Sequence, residues 1–270
     1  MHRPKMISSL KSLLVAGGIA LTGAMGALAA TAEAATAPAP PEQEWHHGGV
    51  NSFTSMFKTF DRASLQRGFQ VYKEVCSACH SMNLVAYRNL EALGFSEEEV
   101  KAIAAQYEVT DGPDDTGEMF TRPAIPSDHF KAPFPNAKAA AAANNGKAPP
   151  DLSLIVKARE HFEDYVYGVL TGYRDAPEGF NVPEGGYYNE YFPGHVIAMA
   201  PPLYDDGITY ADGTPATIAQ QAHDVTAFLA WAAEPHLEAR RQMGVAVIMF
   251  LIILAGLLYA AKRRVWADVH

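Results

Sequence analysis

Cys76-Ser77-Ala78-Cys79-His80 holds both cysteines of the 270-residue chain. C-x-x-C-H is the attachment signature of a c-type haem. Each thiol adds to one vinyl group of the porphyrin, and the adjacent histidine supplies an axial imidazole to iron. Two intervening residues let one helical turn present both sulfurs along a single porphyrin edge, with the next side chain directed at the metal. Other uses of paired cysteines fit less well. A zinc site needs further Cys or His ligands at close spacing, and none flank the string. A redox dithiol or a structural disulfide has no need of histidine at the next position. One covalently bound haem c is therefore expected, with Cys76 and Cys79 as anchors and His80 as an axial ligand.

Both ends of the chain carry membrane-related signals. Arg3, Lys5 and Lys11 give a positive start, residues 13–28 are small and apolar, and Ala32-Glu33-Ala34 is an A-x-A cleavage pattern. Residues 1–34 read as an export signal, with cleavage after Ala34 or, alternatively, after Ala30. Export suits the haem, which bacteria attach outside the cytoplasm. Residues 244–261 are apolar and uncharged, preceded by Arg240 and Arg241 and followed by Lys262, Arg263 and Arg264. At 1.5 Å per residue the run is roughly 27 Å long, close to the thickness of a bilayer core. The basic cluster belongs on the cytoplasmic side. The organisation expected is a signal at 1–34, a periplasmic haem domain at 35–243, an inner-membrane anchor at 244–261 and a cytoplasmic tail at 262–270.

Charge narrows the partners. The chain has 21 basic and 30 acidic residues; without three basic residues and one acid in the signal, and the same in the tail, 15 basic and 28 acidic remain. Such a domain is a poor ligand for nucleic acid, and it would steer a basic diffusing partner towards itself. Glu97, Glu98, Glu99, Asp111, Asp114, Asp115 and Glu118 are the candidate docking acids; a merely solvated face is the plainer reading of each.

Within the domain, Asp61 can cap a helix that presents Leu65, Phe69 and Tyr72 at helical spacing and runs into the haem string. Residues 84–93 and 96–107 look helical, the second opened by a capping box of Ser96 and Glu99. Residues 111–136 break the pattern; residues 137–143 are helix-prone and end at Asn145-Gly146. A helix is expected over 152–170, irregular chain with room for a short hairpin over 175–193, and a helix from Thr214-Pro215 carrying Ile218, Val225, Phe228, Leu229 and Ala232. The fold class is mainly α with long loops, and the first and last helices of the domain are expected to cross at one end of the haem.

Electron transfer without ligand exchange needs a second axial donor. Met1, Met6 and Met25 fall in the signal, Met243 and Met249 at the anchor; Met82 is too near His80, and Met56 precedes the haem helix. Met119 and Met199 remain. Met199 sits in His195-Val196-Ile197-Ala198-Met199-Ala200-Pro201-Pro202, where two prolines stiffen the backbone and small neighbours permit close approach. His195 is the rival, and His/His ligation would generally give a lower potential than His/Met. Arg159 is a candidate to pair with a haem propionate through its forked donors.

Several stretches, in order, resemble the cytochrome c1 family. They include Arg67-Gly68-Phe69-Gln70-Val71-Tyr72, Asp111-Gly112-Pro113, Gly117-Glu118-Met119-Phe120 and Pro149-Pro150-Asp151-Leu152-Ser153. Leu170-Thr171-Gly172-Tyr173, Met199-Ala200-Pro201-Pro202 and Trp231-Ala232-Ala233-Glu234-Pro235 also fit. The resemblance covers nearly the whole exported domain and the anchor. It implies an enlarged c-type cytochrome domain with long loop insertions and one C-terminal transmembrane helix. It also implies His80 and Met199 as axial ligands and Arg159 against a propionate. The function implied is that of the electron-transfer subunit of ubiquinol–cytochrome c reductase, not an enzyme by itself. The haem would accept one electron from the Rieske iron–sulfur protein and pass it to a soluble basic c-type cytochrome. Cytochrome b, membrane lipid and a dimeric complex complete the implied setting, and the short tail after Arg264 fits a bacterial form. A membrane-anchored cytochrome serving a terminal oxidase is the alternative use of the same haem.

Overall fold

A computed structural model describes residues 59–269; the export signal and the lead-in before Thr59 lie outside the described residues. Helix α1 spans Arg62–Glu74. The Asp61 side chain accepts from the Ala63 N–H at 3.1 Å, as an N-cap should. Leu65, Gly68, Phe69, Val71 and Tyr72 form its buried face. The helix does not continue to Cys79 as expected. The backbone leaves regular α geometry at Val75, and a single 3₁₀ turn, Cys76–Ala78, follows. Ser77 closes the gap by donating its hydroxyl to the Lys73 carbonyl at 2.7 Å.

A longer 3₁₀ segment, Tyr87–Leu93, and helix α2, Glu97–Ala104, come next. The Ser96/Glu99 capping box is present in both directions, with contacts of 3.3 and 2.7 Å. The helix expected to reach residue 107 stops at Ala104, and Tyr107 instead leads into strand β1, Glu108–Asp111. Strand β1 pairs antiparallel with β2, Phe120–Pro123, so that Glu108 faces Pro123 and Asp111 faces Phe120. Arg122 in β2 pairs both with Asp111 at the loop end of β1 and with Asp128 beyond β2. Helix α3, Ala137–Ala143, is capped by Asn136 and followed by Asn145 and Gly146, both in the left-handed region.

The helix expected over residues 152–170 is only half right. Residues 153–160 are successive turns, and helix α4 is confined to Phe162–Thr171. Leu152, Ile155 and Val156 have helical spacing, but Asp151 and Ser153 direct their side chains to backbone N–H groups and divert the chain. Strands β3, Tyr187–Tyr188, and β4, Val196–Ile197, form the short hairpin. Helix α5, Ile218–Ala233, begins three residues later than Pro215, because Thr217 is the cap and accepts from the Gln220 N–H at 3.2 Å.

Helices α1 and α5 cross face to face, and the main core lies on both sides of the crossing. At the contact, a Cβ on Gly68 would lie 2.0 Å from the Asp224 carbonyl oxygen, so only glycine permits the approach. Phe69 and Tyr72 meet Phe228 with ring centroids 5.8 Å apart. Burying Phe228 and Leu65 completely contributes about 1.5–3 kcal/mol each. Beside the crossing, the fully buried Asp224 carboxylate accepts from Ser64 Oγ at 2.6 Å, Arg67 Nε at 2.8 Å and Gln220 Nε2 at 2.9 Å.

Glu234, Pro235 and His236 separate α5 from helix α6, Leu237–Val265. Leu237 is buried, and Glu238 accepts from the Phe60 N–H and from Arg62, each at 2.6 Å. Beyond this first turn α6 is long and apolar enough to cross a membrane, and none of its most apolar window is buried within the protein. A core helix of a soluble protein would be covered there; this one presents Ile252, Ile253, Leu257 and Leu258 outward.

Candidate cofactor site

The C-x-x-C-H string forms one tight turn: the Cys79 and His80 N–H groups both donate to the Cys76 carbonyl, at 3.1 and 2.9 Å. Both cysteines are free; Cys76 is half-buried against the core and Cys79 is exposed. Burial pushes the Cys76 thiol up to about 12, with Cys79 adding to the shift. A redox dithiol activates its nucleophilic cysteine by lowering its pKa, so the direction here is opposite to that use.

His80 donates its Nδ1–H to the Pro150 carbonyl at 2.8 Å. A carbonyl only accepts, so the neutral ring carries its proton on Nδ1 and keeps Nε2 as its free donor pair. Burial lowers the His80 pKa, partly opposed by the Pro150 contact and by Asp151, which favours that neutral form. A neutral imidazole with Nδ1 tied to a carbonyl is the state in which histidine binds metal. Among the described residues no three His, Cys, Asp or Glu converge on a metal position. An iron already held by porphyrin nitrogens asks only axial donors of the protein. Two unpaired thiols on one turn and an oriented imidazole thus fit a covalently attached haem.

Met199 lies two residues beyond β4 and is partly buried. Its carbonyl accepts from the Tyr173 hydroxyl at 3.0 Å. The loop leading to it is fixed on α4. Asn189 is fully buried, donates to the Val169 carbonyl at 2.8 Å, and accepts from the N–H groups of Tyr191 and Phe192 at 3.0 and 3.1 Å. Tyr191 packs on Gly168 and Gly172, where a Cβ would come within 2.8 and 2.4 Å of its ring. The two rivals for the second axial position stand differently. Met119 is 60% exposed beyond the β1–β2 turn. His195 is buried in the β3–β4 hairpin, stacked on Tyr188 at 5.6 Å with Nδ1 against the Asn189 carbonyl at 3.2 Å. Arg159 is exposed in the turns before α4, not within a helix as expected, and donates to the Ala158 carbonyl at 2.9 Å.

Sequence reasoning left two site residues without a role: Pro150, whose carbonyl orients His80, and Tyr173, which holds the backbone of Met199. The Pro149-Pro150 pair was the available signal for the first, since it puts carbonyls in a chain with few N–H groups of its own.

Residues 51–269 match the model of the Cytochrome C1 family. The chain belongs to the cytochrome c1 family. Cytochrome c1 of Rhodospirillum rubrum is 49% identical over 98% of this chain and 99% of its own length. The mitochondrial cytochrome c1 heme protein of Schizosaccharomyces pombe is 53% identical over 78% of this chain and 68% of its own. Cytochrome b/c1 of Bradyrhizobium diazoefficiens is 47% identical over 98% of this chain, which spans only 41% of that longer protein. Family membership covers the mainly helical domain and the long apolar helix together, because the match runs through both.

Proposed function

We propose that this chain is the electron-transfer subunit of a ubiquinol–cytochrome c reductase. It takes one electron from the Rieske iron–sulfur protein and passes it to a soluble periplasmic c-type cytochrome. The observation that carries the reading is the C-x-x-C-H turn with its oriented, neutral His80, in a chain of the cytochrome c1 family. One haem c, when bound, supplies a one-electron ferric/ferrous couple. Cys76 and Cys79 would hold it covalently, and His80, with Nδ1 tied to the Pro150 carbonyl, would offer Nε2 to the iron. Met199 would supply the second donor to the iron, and the Tyr173 hydroxyl holds its backbone carbonyl. Donors fixed by the fold would leave coordination unchanged between oxidation states, and a thioether donor would raise the potential. Arg159 would pair with a propionate through its exposed guanidinium, which donates to the neighbouring Ala158 carbonyl.

The protein adds position, potential and docking rather than bond chemistry, so it is a redox subunit and not an enzyme by itself. Residues 1–34 are the export signal, 35–243 the periplasmic domain, 244–261 the anchor and 262–270 the cytoplasmic tail. The anchor lies beside cytochrome b and lipid in a dimeric complex in the bacterial inner membrane. Purification in mild detergent, with subunit identification and a ferric spectrum, tests this. Cytochrome b and the Rieske protein should copurify, and the sulfur-to-iron band should be present. Oxidase subunits in their place would move the chain to a terminal oxidase pathway. Rapid carbon monoxide binding by the native ferrous protein would contradict the second axial ligand.

A further inference from the structure

Residues 81–84 follow the haem string, and residues 150–153 approach them from some seventy residues away; the two segments are stitched together by side chains. The Asp151 Oδ2 accepts from Ser81 Oγ and from the Asn83 N–H, both at 2.8 Å. Its Oδ1 accepts from the Ser153 N–H at 2.8 Å. Ser153, fully buried, accepts from the Leu84 N–H at 3.0 Å. One backbone bond, from the Leu152 N–H to the Ser81 carbonyl at 2.9 Å, lies between them. The residue immediately before Asp151 is Pro150, whose carbonyl receives the His80 Nδ1–H.

We propose that Asp151 is a positioning residue for the axial imidazole: its carboxylate locks Pro150 against the segment after the haem string, so that the Pro150 carbonyl holds His80 in one rotamer and one tautomer. The inference rests on His80 being an axial ligand, as proposed above. A hydrogen bond to the remote nitrogen of a metal-bound imidazole sets its orientation and raises its donor strength. Proline cannot itself donate to anchor its own position, so the register of its carbonyl depends on the residue that follows. Asparagine cannot replace the carboxylate here. Its amide nitrogen would face the Asn83 N–H at one oxygen position or the Ser153 N–H at the other, and a donor cannot satisfy a donor.

The test uses the full-length haem-loaded protein in its detergent-solubilised complex, with Asp151→Asn, Asp151→Glu and the charge-neutral Ser153→Ala. The readouts are the midpoint potential and the ferric electron paramagnetic resonance spectrum, which reports axial-ligand geometry. Asp151→Asn and Ser153→Ala should both raise the potential and displace or broaden the largest g value, and Asp151→Glu should restore part of the native line. Loss of the carboxylate charge alone would also raise the potential in Asp151→Asn, so the spectrum decides. A native g value in both Asp151→Asn and Ser153→Ala overturns the proposal. If Asp151→Asn accumulates no haem, Ser81→Ala, which removes one Asp151 contact without changing charge, decides in the same sense. A wild-type protein lacking imidazole ligation would instead refute the axial role of His80, an outcome separate from any response of the variants.

Discussion

The Asp224 carboxylate is shut away from water, and an ion so placed costs several kcal/mol unless partners replace its hydration. Burial alone would raise its pKa, but hydrogen bonds from His223, Arg67, Ser64 and Gln220 outweigh that and hold it well below the usual carboxylate range. Arg67 gains from the same arrangement, since it also reaches Asp212 at 2.9 Å and lies over the Tyr210 ring at 5.8 Å. Asp224→Asn removes the charge and leaves the guanidinium short of a partner. It should cost about 3–5 kcal/mol in denaturant unfolding of the domain. The folded pKa is depressed, so this stabilisation is complete above the unfolded value near 3.8 and is lost as pH falls below it. Wild-type stability should therefore drop between pH 4 and pH 2 by more than that of Asp224→Asn; parallel pH profiles for the two proteins would remove Asp224 as the cause.

The crossing of α1 and α5 depends on a missing side chain. Gly68→Ala would drive a methyl group into the Asp224 carbonyl and into Phe228, whose Cβ lies 2.7 Å from the new atom. Overpacking of this kind costs about 1–3 kcal/mol, and more where backbone must move. Thermal unfolding should shift down accordingly, and haem incorporation should fall with it; an unchanged melting temperature would show that the helices can slide apart freely. The same elements show what could be read in advance. Asp61, the Ser96/Glu99 box and Asn145-Gly146 marked helix ends correctly, because capping is local chemistry written in adjacent residues. The β1–β2 hairpin has no apolar signal in the sequence, because its strands are four residues long and neither buries a residue. Residues 152–160 were misread because their apolar spacing is helical while the bonds of Asp151 and Ser153 reach a segment some seventy positions away. At the proposed site, Cys76, Cys79 and His80 stand out as candidates from spacing alone, whereas the contacts of Pro150 and Tyr173 join segments far apart in sequence and have no local signal.

Over the whole molecule the acids outnumber the bases, and much of the excess is displayed on α2 and the β1–β2 loop. Glu97, Glu98, Glu99, Asp114, Asp115 and Glu118 are all exposed. Not all are equally available. Glu97 is engaged by Lys101 at 2.6 Å, and Asp114 by its own turn, which hold both carboxyls below their usual range. If this surface receives a basic cytochrome, reduction of that partner should slow steadily as salt rises from about 0.01 to 0.15 M, where the screening length shrinks from about 30 to 8 Å. A flat rate across that range would take electrostatics out of docking. The junction with α6 is held from several directions. Leu237 is sunk into the domain, Glu238 is held by α1, and Glu234 just before them is paired with both Lys157 and Arg240. Bending at this joint would have to break the Glu238 and Glu234 pairs and uncover Leu237. On the proposed role, a redox partner would have to come to the domain, because tilting the domain towards it would cost those contacts.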